Sequence, residues 1–293
     1  MKLRNILMAA ATMGVMFASA DRTGVVGYTA GDYDDMNTYP HNASGQNLAF
    51  VNEGESFETV WTDGGTTWGF AGGSDNELVN MLWANGTFGL SLGVNMSSGT
   101  VDGDDAETTM DIGFGMNLAG WDVGFHMGTA EGADMSLNAR GALGFWAFDT
   151  MEFGYMSNDN VSHIDVNMYG VKEWGAATGM FAMGFESTDM YTGVFGDDAA
   201  TLLTTGMSVE STLTDWCDLR IGYDRKFNLA AEDGGTESWE AFSAGVGFNL
   251  GSVQLDMTLS DGTLGNMMSN PLNYISGYNS DALTSSWTLS YTW

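Results

Sequence analysis

Three histidines, at positions 41, 126 and 163, are the side chains of this sequence best suited to exchange protons near neutral pH. His163 has the hydroxyl of Ser162 and the carboxylate of Asp165 nearby, which are the residue types of a nucleophile, a base and an orienting acid. Such a set requires hydrogen-bond contact in space, and serine and aspartate are common throughout this chain. The pattern therefore has little specificity, and we predict that the protein is not an enzyme.

Two acidic segments raise the question of metal binding. VDGDDAE (101–107) and FGDDAAT (195–201) combine carboxylates with glycine, as calcium loops do. Neither has the spacing of a calcium-binding loop, in which ligands recur at alternate positions and a glutamate follows. We expect solvated loops that attract divalent cations loosely, and we predict neither a metal site nor a cofactor.

A larger group of charged residues recurs with a period of two in segments that alternate polar and apolar residues. The acidic members are Asp111, Asp122, Glu152, Asp165, Glu186, Glu210, Asp218, Asp224 and Asp256. The basic members are Arg140, Arg220 and Lys226. A period of two is typical of a β-strand, and it places these side chains on one face with apolar residues on the other. Because the bases are too few to neutralise the acids, this face should favour cations.

Alternating segments predict about fourteen strands between residue 57 and the end of the chain. The composition of 41 Gly and 2 Pro agrees with an all-β chain. The start is less regular: NLAFVN (47–52) could form or extend the first strand. A helical spacing of leucine and methionine predicts a short helix within 72–86.

Short and long connections alternate along the chain, for example Leu118 to Trp121 against 97–107. This alternation predicts a transmembrane antiparallel up-and-down β-barrel with short periplasmic turns and longer, acidic external loops. The apolar face must then meet lipid, because a base facing lipid at mid-depth costs roughly 2–4 kcal/mol and an acid somewhat less. The charged face must line the lumen.

Aromatic residues gather at the two ends of the predicted strands, where membrane interfaces favour amphipathic rings. The predicted interface girdle consists of Trp121, Trp146, Trp174, Trp216 and Trp293 at the tight-turn end and Tyr223 at the other. A soluble β-sandwich or propeller would bury one face of each strand without needing rings at both ends.

The chain divides into three parts. Residues 1–20 have a basic start, a short apolar run and an Ala-Ser-Ala end, which predicts a secretory signal peptide. Residues 21–45 show no sustained period and could be a lumen plug, a periplasmic tail or part of a first hairpin. Residues 46–293 form the predicted barrel. The net charge of −30 argues against a nucleic-acid partner, because binding one requires a basic surface.

The leader, the repeated amphipathic strands and the closing strand SSWTLSYTW resemble Gram-negative outer-membrane β-barrel proteins of the porin type. The resemblance implies a bacterial outer-membrane location, with outer-membrane lipid and lipopolysaccharide as neighbours. It also implies that Tyr291 and Trp293 form the signal read by the barrel-assembly machinery, with Trp293 in place of the more usual phenylalanine.

The expected function is a porin-like channel for passive diffusion of small solutes, preferentially cationic or neutral. Two alternatives remain open at this point. One is a structural or surface barrel with an occluded lumen, and the other is a transporter of hydrophobic molecules with the N-terminal segment as plug. The oligomeric state is left open.

Overall fold

The computed structural model describes residues 20–27, 34–73, 77–96, 108–130, 132–159, 161–189, 200–230, 238–260 and 284–293. Helices α1 (Ala20–Val26) and α2 (Asp34–Thr38) precede a turn of 3-10 helix, Pro40–Ala43. None of the described helices has the length and apolar character needed to cross a membrane. Most of the predicted signal peptide, residues 1–19, lies outside the described residues.

Sixteen β-strands follow the helices along the chain. They are β1 (Leu48–Asn52), β2 (Ser56–Asp63), β3 (Thr66–Gly73), β4 (Glu77–Ala84), β5 (Phe88–Met96), β6 (Thr108–Leu118), β7 (Trp121–Gly128), β8 (Met135–Phe145), β9 (Phe148–Ser157), β10 (Ser162–Trp174), β11 (Ala177–Thr188), β12 (Ala200–Thr214), β13 (Cys217–Asn228), β14 (Ser238–Leu250), β15 (Val253–Ser260) and β16 (Thr284–Thr292).

Each strand pairs antiparallel with its neighbours in sequence, and β1 pairs with β16 to close the barrel. The predicted fold class, an all-β up-and-down barrel, is confirmed, although the strand number is sixteen rather than fourteen. Full closure leaves no unpaired sheet edge, which is the physical advantage of this architecture.

The two additional strands come from the irregular start of the chain. The segment 47–52 forms β1, and the helix predicted within 72–86 is wrong, because this segment contains β4, paired with β3 and β5. On β4 the inward side chains of Leu82 and Ala84 are buried, while Met81 on the opposite face is exposed and apolar. With apolar residues on both faces, the strand loses the alternation by which strands are recognised.

Short and long connections fall at opposite ends of the barrel, as predicted. The tight-turn end carries two-residue turns such as 64–65 and 119–120, together with the start of β1 and the end of β16. Backbone φ is positive at both residues of these two turns, as type I′ hairpins require. The long-connection end carries 97–107, 190–199, 231–237 and 261–283, which include the predicted acidic loops and lie outside the described residues.

Large apolar side chains cover the outer wall of the barrel. They include Phe88, Leu90, Leu92, Met110, Ile112, Met127, Leu137, Ile164, Met183, Phe185, Met207, Val209, Leu219, Ile221 and Leu289, each more than a third exposed. An apolar surface of this extent is unfavourable in water and is what a lipid-facing barrel wall presents.

Met207, which lies near the middle of β12 and is 63% exposed, provides a test of this surface. Replacing Met207 with arginine should destabilise the barrel in lipid by roughly 2–4 kcal/mol, because a base at mid-depth loses its hydration. Urea unfolding of the protein folded into liposomes measures the effect, with Met207→Leu as the matched control. Equal stability of the two variants would contradict a lipid-facing outer wall.

Candidate functional site

Residues 20–27 and 34–45 lie inside the barrel against its wall. Helix α1 contacts strands β12 to β16, whereas α2 contacts β6 and β7 and the 3-10 helix contacts β4 to β6. The two pieces therefore cover different sectors of the inner wall, and they meet it with different chemistry.

An apolar core lies within the barrel where residues 34–45 meet strands β1 to β4. Its buried members are Met36, Ala43, Leu48, Phe50, Val60, Leu82 and Ala84. The remaining inner wall is largely polar, as expected for the lumen face, but in this sector the inner face is apolar. Burial of these side chains stabilises the contact between the N-terminal segment and the first strands by the hydrophobic effect.

Arg140 on β8 connects the wall to the N-terminal segment. Its guanidinium donates two hydrogen bonds to Asp35 of α2, at 2.5 and 2.8 Å, and one to Asp122 of β7 at 3.1 Å. The 3-10 helix contributes His41, whose Nε2 lies 2.9 Å from the other oxygen of Asp122. Arg140 is only 6% exposed, so these charge-assisted hydrogen bonds are shielded from water.

Tyr39 extends this network to the predicted lumen residue Glu152. The ring of Tyr39 lies under the guanidinium of Arg140, 4.7 Å from the ring centroid, and its hydroxyl donates to Glu152 over 3.2 Å. Burial raises the pKa of the Tyr39 hydroxyl well above its usual range, so the group stays protonated and acts as a donor. Asp122, Arg140 and Glu152 are neighbours across three adjacent strands, and the N-terminal segment contacts all three.

A second network joins α1 to strands β12, β13 and β15. Arg22 of α1 donates from Nε to Glu210 at 2.9 Å, and Arg220 donates to the same carboxylate at 2.5 Å. Arg220 also donates to Asp256 at 2.5 Å, and both Arg220 and Asp256 are almost fully buried. Three of the predicted lumen residues, Glu210, Arg220 and Asp256, thus form one row of alternating charge.

A third network lies towards the long-connection end. Lys226 donates to Glu186 over 2.8 Å, and the Nδ1 of His163 is 3.5 Å from the second oxygen of Glu186. The Nε2 of His163 lies 3.2 Å from Asp165. Both ring nitrogens of His163 therefore face carboxylates. The remaining histidine, His126, has its Nε2 2.9 Å from the carbonyl oxygen of Thr38.

The three remaining predicted lumen acids lie apart from these networks. Asp111 accepts a hydrogen bond from Asn95, and Asp218 accepts hydrogen bonds from Thr212 and Asn249. Asp224 lies beside the wall glycine Gly206, where an added methyl group would come within 2.5 Å of its carboxylate.

Glycines on the inner wall provide room for the N-terminal segment. A methyl group on Gly89 would collide with the backbone of His41, and one on Gly124 would collide with the carbonyl oxygen of Thr38. On the other side of the barrel, a methyl group on Gly222 would collide with the carbonyl oxygen of Val25. The close approach of two backbones is a known reason for glycine in a strand.

A cavity of about 460 Å³ lies between Asn37 of α2 and Asp134, in the connection from β7 to β8. Its charged lining consists of Glu58 on β2, Asp111 on β6 and Asp134, and among the described residues that line it none is lysine or arginine. Asn80, Ser91 and Ser136 add neutral polar groups. The arrangement gives a space of negative potential inside the barrel.

The predicted interface girdle lies on the outer surface. At the tight-turn end Trp146, Trp174, Trp216 and Trp293 are each more than half exposed, and the ring of Trp121 covers Gly141. At the opposite end the hydroxyl of Tyr223 donates to Glu240 over 2.9 Å. Tyr291 and Trp293, the predicted assembly signal, stack with ring centroids 5.9 Å apart.

Several residues of these networks and of the cavity lining were not predicted from the sequence. They are Arg22, Asp35, Tyr39 and Glu58. The N-terminal residues belong to a segment without periodicity, and only the inward glycines indicate that something packs closely against the wall. For metal ions, no group of three or more potential ligands occurs among the described residues, and the acidic loops 101–107 and 195–199 lie outside them.

Comparison with known proteins identifies the fold. No protein-family model matches the chain, and no curated protein matches it. Among solved structures, a porin refined at 1.8 Å resolution is similar, with a TM-score of 0.50 and 12% identity, covering 84% of this chain and 99% of the porin. A bacterial polysaccharide outer membrane secretin is similar with a TM-score of 0.52 and 9% identity, covering 84% and 97% of the two chains. The fold is therefore that of the porin-type β-barrels of the bacterial outer membrane.

Proposed function

We propose that the protein is an outer-membrane channel for passive diffusion of small solutes, preferentially cationic or neutral, with residues 21–45 as a plug that narrows the lumen. The observation that carries the proposal is the cavity of about 460 Å³ with Glu58, Asp111 and Asp134 in its lining. A water-filled space with fixed negative charge attracts cations and repels anions, as acidic rings do in cation-selective pores.

The charge balance of the inner wall supports the same preference. With Asp35 and Glu58 added to the nine predicted lumen acids, eleven carboxylates face four bases, Arg22, Arg140, Arg220 and Lys226. The bases are all engaged in the networks described above, so the surplus charge is negative. No part in catalysis is proposed.

Ion selectivity in a planar bilayer tests the proposal. Replacing Glu58 with glutamine and Asp111 with asparagine should lower the cation-to-anion permeability ratio by at least about fivefold, because a unit charge about 8 Å away in water changes an ion's energy by roughly 0.5 kcal/mol. The measurement is the reversal potential in a salt gradient, and Asp63→Asn, an exposed acid at the tight-turn end, is the control. A preference for anions, or a ratio unchanged in the double variant, would contradict the proposed selectivity.

A structural barrel with an occluded lumen is the second candidate, and one observation favours it. Both described pieces of the N-terminal segment contact the inner wall, and their side chains Tyr39, His41 and Val25 are buried there. Absence of any current from the purified protein in the same bilayer would favour this candidate over the channel. Transport of hydrophobic molecules has less support, because Met36 and Ala43 already cover the inner apolar residues.

A further inference from the structure

The two pieces of the N-terminal segment are attached to the barrel by different kinds of contact. Residues 34–45, here called the core segment, are continuous with β1 and contribute Met36 and Ala43 to the apolar core. Helix α1 contributes no residue to that core, and its hydrogen-bond partners on the wall include the polar side chains Glu210, Ser208 and Ser243. The difference bears on which piece could leave the wall while the barrel stays folded.

Removing the core segment from the wall would expose the inner faces of the first strands. Leu48, Phe50 and Val60, at 3%, 4% and 0% exposure, would lose their apolar partners and meet water. The buried guanidinium of Arg140 would lose both hydrogen bonds to Asp35. The first loss exposes buried apolar surface, and the second leaves a buried charge with fewer partners. Both carry a large cost in free energy. The core segment is therefore the fixed piece.

Removing α1 would expose a surface that water can solvate. The carbonyl oxygens of Val25 and Val26 accept hydrogen bonds from Ser243 and Ser208, and water can replace each partner. Arg220 would keep both its carboxylate partners, Glu210 and Asp256, because all three belong to the wall. The contacts that α1 would lose include two buried valines, the two serine hydrogen bonds and the ion pair between Arg22 and Glu210.

We propose that α1 is a displaceable gate of the channel, held closed by the Arg22–Glu210 ion pair in a groove opened by Gly222 and Gly245, while the core segment stays in place. This inference rests on the proposed channel function. In the closed state α1 covers the sector of the inner wall formed by β12 to β16, and in the open state that sector adds to the aqueous path. The shift between the states depends on the free energy of the Arg22–Glu210 ion pair, the hydrogen bonds from Ser208 and Ser243, and a small apolar contact.

A disulfide between α1 and the wall tests the gate. An added Cβ on Gly245 would lie 3.1 Å from Cγ2 of Val25, an atom in the position that a cysteine Sγ can take, so the two side chains are close enough to join. Val25→Cys with Gly245→Cys, made together with Cys217→Ser so that no other cysteine is present, ties α1 to its groove when oxidised. Mean conductance in a planar bilayer should rise at least roughly twofold on reduction, and Cys217→Ser alone should not respond.

A pair of wall variants tests the division between the two pieces. Gly222→Val places a side chain against the carbonyl oxygen of Val25, and it should raise the conductance. The electrophoretic mobility of the unheated protein should still be that of a folded barrel. Gly89→Val places the same side chain against His41 of the core segment, and it should lower the thermal midpoint of the barrel without a higher conductance.

The outcomes separate the gate from the channel. Equal currents from the oxidised and reduced double-cysteine protein, or a higher current from Gly89→Val than from Gly222→Val, would overturn the gate and leave the channel. If neither the unmodified barrel nor any variant carries current, the channel function fails and the gate fails with it.

Discussion

Replacing Arg140 with methionine should reduce the free energy of unfolding by about 3–5 kcal/mol, which is the usual result of removing one partner from a buried ion pair. The guanidinium is 6% exposed and holds two carboxylates, Asp35 and Asp122. Without it, the buried carboxylate of Asp35 and the half-buried carboxylate of Asp122 have less compensation for their lost hydration. Thermal or denaturant unfolding in detergent, followed by circular dichroism, measures the loss.

Two further variants make the Arg140 result interpretable. Lys172→Met removes an exposed cation near the tight-turn end and should change the stability by less than about 0.5 kcal/mol. Adding Asp35→Asn to Arg140→Met should restore part of the stability, because one uncompensated carboxylate is then gone. A loss below about 1 kcal/mol for Arg140→Met, or strict additivity in the double variant, would show that the Arg140–Asp35 contact does not hold the core segment.

Replacing Met36 with aspartate should cost more than about 4 kcal/mol, because a carboxyl group would enter an apolar core without a partner. Met36 is 2% exposed and packs in the cluster that includes Leu48 and Phe50. The damage should therefore reach β1 and its pairing with β16, and the unheated protein should lose its folded electrophoretic mobility. Asn37→Asp is the matched control, since the neighbouring side chain is exposed and faces the polar cavity.

The comparison of Met36→Asp with Asn37→Asp separates packing from charge. Both add one carboxylate to adjacent positions of α2, so a similar loss in both would point to a general effect of charge on the helix. A stable Met36→Asp barrel would show that the apolar core inside the barrel contributes little to the fold.

Most of the barrel could be predicted from the sequence because lipid and lumen impose opposite requirements on successive residues. From β5 onwards this alternation is visible, and the charged residues on the inner face follow from it. The first strands differ because the core segment covers their inner face, so apolar residues occur on both sides. On β4, Leu82 points inward and its neighbour Met81 points outward, and both are apolar. The alternation with a period of two is therefore lost.

The partners of the inward charges could not be predicted. Asp35 and Arg140 are separated by 105 positions, and Arg22 and Glu210 by 188. No local pattern links residues so far apart, and the segment that contains Asp35 has no periodicity. The sequence does carry an indirect sign in the glycines of the inner wall. Gly89 and Gly124 leave space on one side for the backbone of His41 and Thr38, and Gly222 leaves space on the other side for the backbone of Val25.

The pairing of β1 with β16 has a consequence for the order of folding. Asn52 and Thr288, which share a hydrogen bond across this pairing, are 236 positions apart, so the contact closes the longest loop in the cylinder. Loop-closure entropy makes such a contact slow to form, and hairpins between sequence neighbours form before it. Only five residue pairs join the two strands. We therefore expect residues 34–45, which lead directly into β1, to pack against the inner face of the open sheet before the last strand closes it.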